Sequence, residues 1–115
     1  WWENKNNGLK WSFHLISENS TNQDFHTLAV FDFDNDGDED IFSGGGPMTV
    51  GKHQWIIWES TSGNALNWKK HIVLEGYRCH EAKAADVDGD GDIDICSKPW
   101  RGNIHVYLEN KLIDK

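Results

Sequence analysis

The chain has 115 residues, room for one ordinary domain, and a formal net charge of −8. That acidity is local. Two short runs hold eleven of the 19 acidic residues, and the other eight face 11 Lys and Arg scattered along the sequence, which excludes a basic nucleic-acid surface. No apolar run approaches membrane-spanning length, so neither a membrane span nor a nucleic-acid partner is expected.

The seven Trp and 11 Gly suit short strands, tight turns and aromatic packing between sheets. In chain order, strands are predicted over residues 1–4, 11–17, 26–32, 40–44, 54–60, 68–74, 80–86, 94–98 and 103–109. Turn-formers separate them: Asn6-Asn7-Gly8, Asn19-Ser20-Thr21-Asn22, Gly44-Gly45-Gly46-Pro47, Ser62-Gly63-Asn64, and Pro99 with Gly102. No window carries a 3.6-residue apolar period, and the fold class read from this pattern is all-β. The chain opens on Trp1-Trp2 rather than Met, so any targeting signal would lie upstream.

An internal repeat organises these strands. Residues 26–32, opening on His26, align with residues 80–86, opening on His80, at a shift of 54. Trp11, His14 and Ile16 align with Trp68, His71 and Val73 at a shift of 57, and Trp1-Trp2-Glu3-Asn4 has counterparts in residues 57–60 and 107–110. A unit of this length with several short strands falls in the period range of propeller blades. Within one unit, residues 26–32 would be strand A, 40–44 strand B, 54–60 strand C and 68–74 strand D. The chain is then a partial β-propeller of four-stranded antiparallel blades. Residues 1–17 supply strands C–D of one blade, 24–75 a complete blade and 78–110 strands A–C of the next. A propeller closes with at least four blades. The missing blades would come from the same chain, if this is a segment of a longer protein, or from self-association.

The two acidic runs join strand A to strand B in each unit. Asp32, Asp34, Asp36, Asp38 and Asp40 fall at positions 1, 3, 5, 7 and 9 of the first loop, with Gly37 at 6. Asp86, Asp88, Asp90, Asp92 and Asp94 do the same in the second, with Gly91 at 6. Like charges this close repel unless a cation sits among them. A curled loop aims positions 1, 3 and 5 at one centre, Gly permits the positive-φ turn, and position 9 closes the shell. Position 7 serves through its carbonyl, which leaves the Asp38 and Asp92 side chains facing solvent. All-oxygen, highly charged ligation favours Ca²⁺, at two sites, and the absence of Cys and His argues against Zn²⁺. A helix–loop–helix site would need Glu at position 12, where Ser43 and Ser97 stand. The bland alternative, a solvated acidic hairpin, is weakened because the pattern recurs in register.

Asp-x-Asp-x-Asp-Gly-x-x-Asp between two strands, after an apolar strand opening on His, resembles the FG-GAP/VCBS-type repeat, and the Trp-x-x-His-x-Ile strand resembles one bacterial branch of it. The resemblance covers nearly the whole chain. It implies a multi-bladed, integrin-alpha-like propeller with structural Ca²⁺ in the A–B hairpins. Integrin heads, lectins and some polysaccharide lyases are similar, and the fold does not choose among them.

His26 and His80 lie about 20 Å along their strands from the acidic loops, on the face where a propeller would bind a ligand. With Tyr77, Arg78 and Trp100 they are the candidate ligand-binding residues, and Asp24 and Glu81 lie beside them. A repeated packing histidine is the plainer reading of His26 and His80, as it is of His14 and His71. Trp55 and Trp58 suit packing between blades, whereas Trp100, in a Pro-Trp-Arg-Gly turn, suits exposure. Cys79 lies about 17 Å from the residue opposing Cys96, so two free thiols are expected. The function expected is a calcium-binding scaffold of an extracellular or cell-surface protein that recognises a glycan or a protein. The alternative is a fragment of a propeller-type polysaccharide lyase or other carbohydrate-active enzyme. No catalytic constellation is legible.

Overall fold

A computed structural model describes residues 1–17 and 22–112. Among the described residues nine strands follow one another. They are β1 (Trp2–Lys5), β2 (Lys10–Phe13), β3 (Phe25–Phe31), β4 (Asp40–Gly45), β5 (Gln54–Ser60), β6 (Trp68–Glu75), β7 (His80–Ala85), β8 (Asp94–Lys98) and β9 (Val106–Leu108). Each predicted strand has one counterpart. The second and last are shorter than expected, and a single 3-10 turn at Asn6–Gly8 links β1 to β2. Of the turn expected at residues 19–22, only Asn22 lies among the described residues.

All pairings are antiparallel and form three sheets, in the orders β1-β2, β3-β4-β5-β6 and β7-β8-β9. Among the described residues no helix is long and apolar enough to cross a membrane. The radius of gyration, 15.0 Å, exceeds the roughly 13 Å of a closed domain this size, because the sheets stand side by side and do not wrap one core.

The second and third sheets touch through their inner strands, with β7 packed on β3 and β4. Small residues allow that approach. Ala29 of β3 and Ala82 of β7 lie in a core with Phe33, Phe42, Trp55, Cys79 and Ile95. Gly44 belongs here too. It is not a turn residue but the strand position where Cys79 comes closest, and a Cβ there would collide with the cysteine's Cβ and Sγ. The other face of the second sheet holds Ile41, Ile56 and Trp58, with Ile16 packed against them. Trp55 and Trp58, three residues apart, thus fill opposite faces of β5 by the ordinary alternation of a strand. Between that face and the end of β2 lies an open apolar cleft of about 580 Å³, lined by Phe13, Leu15, Phe25, Leu28, Ile41 and Trp58.

Cys79 and Cys96 are free thiols, and Lys83 is the residue opposite Cys96. Cys79 is fully buried and its Sγ meets Ser97 Oγ at 3.3 Å.

Candidate metal centres

Each acidic loop curls because its own carboxylates collect its backbone N–H groups. In the first, Asp32 accepts from the N–H of Asp36 (3.1 Å) and of Gly37 (2.9 Å), and Asp36 accepts from Asp38 N–H (2.8 Å). In the second, Asp86 accepts from Gly89 (2.7 Å) and Gly91 (3.1 Å), and Asp90 from Asp92 (2.8 Å). Two positions per loop turn left-handed. Position 6 is Gly37 (φ 97°) or Gly91 (φ 101°), and position 4 is Asn35 (φ 58°) or Gly89 (φ 83°).

This curl brings together Asp32, Asp34 and Asp40 in one loop and Asp86, Asp88 and Asp94 in the other, one oxygen of each lying within 4.8 Å of the others. Oxygens about 2.4 Å from a shared Ca²⁺ can stand up to about 5 Å apart, so these donors fit such an ion. Positions 1, 3 and 9 therefore converge. Asp36 and Asp90, at position 5, are not in these triads, and each is turned to the N–H of position 7. Position 7 corrects the sequence reading, because Asp92 does not face solvent. It is fully buried and accepts a hydrogen bond from Asn35 Nδ2 at 2.7 Å. The neighbouring sheet's loop supplies that partner.

Asp40 and Asp94 do more than close the loops. Each is buried, and each ties its hairpin to the end of the third strand of its sheet. Asp40 accepts from Phe33 N–H (3.0 Å) and Ser60 N–H (2.8 Å). Asp94 accepts from Val87 N–H (2.9 Å) and Asn110 N–H (2.8 Å). Burial raises the Asp40 carboxyl above its ordinary value against those two donors. Burial also acts on Asp94, yet the N–H groups and a third donor, Tyr107 Oη, hold it below the ordinary value. Desolvation pushes Asp34 and Asp88 upward as well.

At the opposite ends of the strands, His26 and His80 stack with ring centroids 4.6 Å apart, and Trp100 meets His80 edge-on at 4.4 Å. His80 is buried, its backbone is held by Ser97, and its Nδ1 has no hydrogen-bond partner among the described residues. A bulge lies at the histidine in both strands, between Phe25 and Leu28 in β3 and between His80 and Lys83 in β7, where Glu81 takes φ 52°. Trp100 and Tyr77 are exposed. Arg78 points its Nε at His53 Nε2, 3.4 Å away. The structure thus joins three of the five candidate ligand residues in direct contact, while the other two bond elsewhere, Tyr77 O with Trp55 Nε1 and Arg78 with His53.

Sequence reasoning missed the partners of the outer histidines. His14 Nε2 meets Glu3 Oε2 at 2.9 Å and stacks on Trp1, and His71 makes the equivalent pair with Glu59. The signal was present, since Glu3 and Glu59 occupy the same place in the repeat. It also missed Asn110, whose Nδ2 reaches Phe33 O (2.9 Å) and Ile93 O (3.4 Å).

Comparison with curated proteins and with solved structures returns no match. The FG-GAP-like repeat family model matches residues 32–97, more than half the chain, from the first residue of the first acidic loop to the strand beyond the second. With two antiparallel units, each carrying the same curled acidic hairpin, the chain belongs to the FG-GAP-like repeat family.

Proposed function

We propose that this chain is a calcium-binding repeat module of an extracellular protein, with one Ca²⁺ in each acidic loop, serving as a structural and recognition scaffold. The observation that carries the reading is the convergence of carboxylates from positions 1, 3 and 9 in both repeats. The donors are all oxygen, flexible and multiply charged, which favours Ca²⁺ over Mg²⁺ and over softer metals. When bound, the ion supplies the positive charge that relieves repulsion among the aspartates. The protein's own part is to hold Asp40 and Asp94 in place through strand-end N–H groups. Calcium outside cells is abundant enough to keep loops of modest affinity filled.

Thermal unfolding with and without excess chelator tests this. At a hundredfold excess of Ca²⁺ over its dissociation constant each site adds about 2.7 kcal/mol. A midpoint that chelator leaves unchanged removes the calcium reading. The apolar cleft beside β3, with Leu28 and Val30 exposed, supports a further role for this face as the seat of another blade, from the same protein or a second copy.

Recognition is assigned to the end away from the loops, where the unpartnered His80 Nδ1 sits between His26 and the exposed Trp100. A glycan or a protein epitope is the proposed ligand. The enzyme reading, a fragment of a polysaccharide lyase using His26, His80, Tyr77 and Arg78, has weaker support, because among the described residues the two His–Glu pairs involve other residues, His14 with Glu3 and His71 with Glu59. A glycan array separates saccharide from protein recognition. Cleavage of acidic polysaccharides that disappears in His80→Ala would instead favour the lyase.

A further inference from the structure

We infer that Asn110 and Asn35 are positioning residues that couple the two cation sites, so that filling one loop prepares the other. The inference rests on the calcium reading above. Two loops on separate sheets would bind independently by default; here they are joined twice.

The first link runs through the backbone of Phe33. Its N–H donates to Asp40, a carboxylate of the first triad, and its carbonyl accepts from Asn110 Nδ2 at 2.9 Å. Asn110 in turn donates its own N–H to Asp94, of the second triad, at 2.8 Å. The backbone of one residue, Phe33, and one asparagine therefore span the distance between the two triads. Phe33 cannot drift to accommodate a change, because its ring is buried in the core shared by the second and third sheets. The second link is the 2.7 Å bond from Asn35 Nδ2 to the buried carboxylate of Asp92. Asp92 sits between Gly91 and the hairpin's return strand, and its N–H is held by Asp90.

Ordering the second loop around a cation fixes Asp94, and with it Asn110 and the backbone of Phe33, whose N–H orients Asp40. Order already imposed on one site need not be imposed again by the next ion, which makes binding cooperative. The repeat itself provides the variants that cut these links. Position 4 is Asn35 in one loop and Gly89 in the other, both left-handed, so Asn35→Gly suits the backbone. Ser60 holds in the second sheet the place of Asn110, and Asn110→Ser keeps the N–H to Asp94 while losing the reach to Phe33.

The experiment titrates the full chain with Ca²⁺ by calorimetry, in native and Asn35→Gly/Asn110→Ser backgrounds, each with and without Asp88→Ala to disable the second loop. In the native background Asp88→Ala should weaken the first loop as well, by about fivefold or more. In the variant background it should leave the first loop within about twofold. An equal loss in both backgrounds, or none in either, overturns the coupling. A native chain that binds no Ca²⁺ overturns the calcium reading itself, a distinct result. If the double variant does not fold, exchange of the Phe33 amide decides in Asn110→Ser. Filling the second loop should slow that exchange in the native chain and not in the variant, and slowing in both overturns the proposal.

Discussion

Tyr107 donates its phenolic hydroxyl to Asp94 at 3.0 Å, a bond that Ile57, its counterpart in the complete sheet, cannot make to Asp40. The two aspartates are otherwise held alike, by one N–H from their own loop and one from the end of the third strand. Burial of the phenol, then this bond, push the tyrosine's pKa upward, while the carboxyl of Asp94 is drawn below its ordinary value and that of Asp40 is not. Tyr107→Phe is therefore expected to lower the thermal midpoint of the chelated protein by a few degrees, since a buried carboxylate loses a donor. A midpoint equal to the native one would show that Asp94 does not depend on the phenol.

Gly44→Ala is expected to destabilise the protein by about 1–3 kcal/mol, read as a lower urea midpoint, because the added methyl lands on Cys79 across the sheet boundary. Gly37→Ala, with no atom within 4 Å of its Cβ, acts by a different route. Its cost comes from the φ of 97° alone, so it should disturb the loop and leave the sheet contact intact. Amide exchange at Cys79, rising in the first variant and not in the second, distinguishes them.

Burial pushes the Cys79 thiol up to about 11, so almost none of it is thiolate at pH 8. Iodoacetamide at that pH is expected to label Cys96, which is half-buried, and to reach Cys79 only after unfolding. Labelling of both at equal rates in the folded protein would contradict the packing described for the sheet interface.

Glu59 has its pKa lowered from 4.5, first by the hydrogen bond with His71 and then by Lys69. A carboxylate whose folded pKa is depressed contributes stability above its unfolded value, and that contribution is lost as pH falls through the folded value. Glu59→Gln should thus cost about 0.5 kcal/mol at pH 7 and progressively less as the pH falls below the ordinary carboxylate range. Denaturant melts over a series of pH values check the sign, and a cost that does not shrink as the pH falls would mean packing rather than charge.

The strands and loops were legible in the sequence because their causes are local. Alternating β-branched and aromatic residues mark the strands, Gly37 and Gly91 mark the turn in each loop, and Asp at every second place marks the hairpin. What escaped depends on how one sheet lies against the next. Asp92 looked solvent-facing because position 7 is expected to serve its loop through its carbonyl; Asn35, 57 residues earlier, bonds its side chain. Asn110 looked like a strand end and proved to bridge two sheets. Gly44 reads both as the end of a strand and as the start of a turn; the strand is what forms, and the constraint on the residue comes from Cys79, just before the first strand of the next sheet. The glutamate partners of His14 and His71 lay in between, visible as a repeated letter but without a stated contact.

The bonds from Ser60 to Asp40 and from Asn110 to Asp94 also bear on how such chains lengthen and shorten. Each bond joins the second strand of a sheet to the end of the third. A recombination breakpoint between those strands would part the carboxylate from its donor and strand a buried charge. Breakpoints between one sheet's last strand and the next sheet's first would keep every such clasp whole. Gain or loss of repeats should therefore respect the second kind of seam, and the Asp-to-strand-end clasp is the feature that marks where one heritable unit stops.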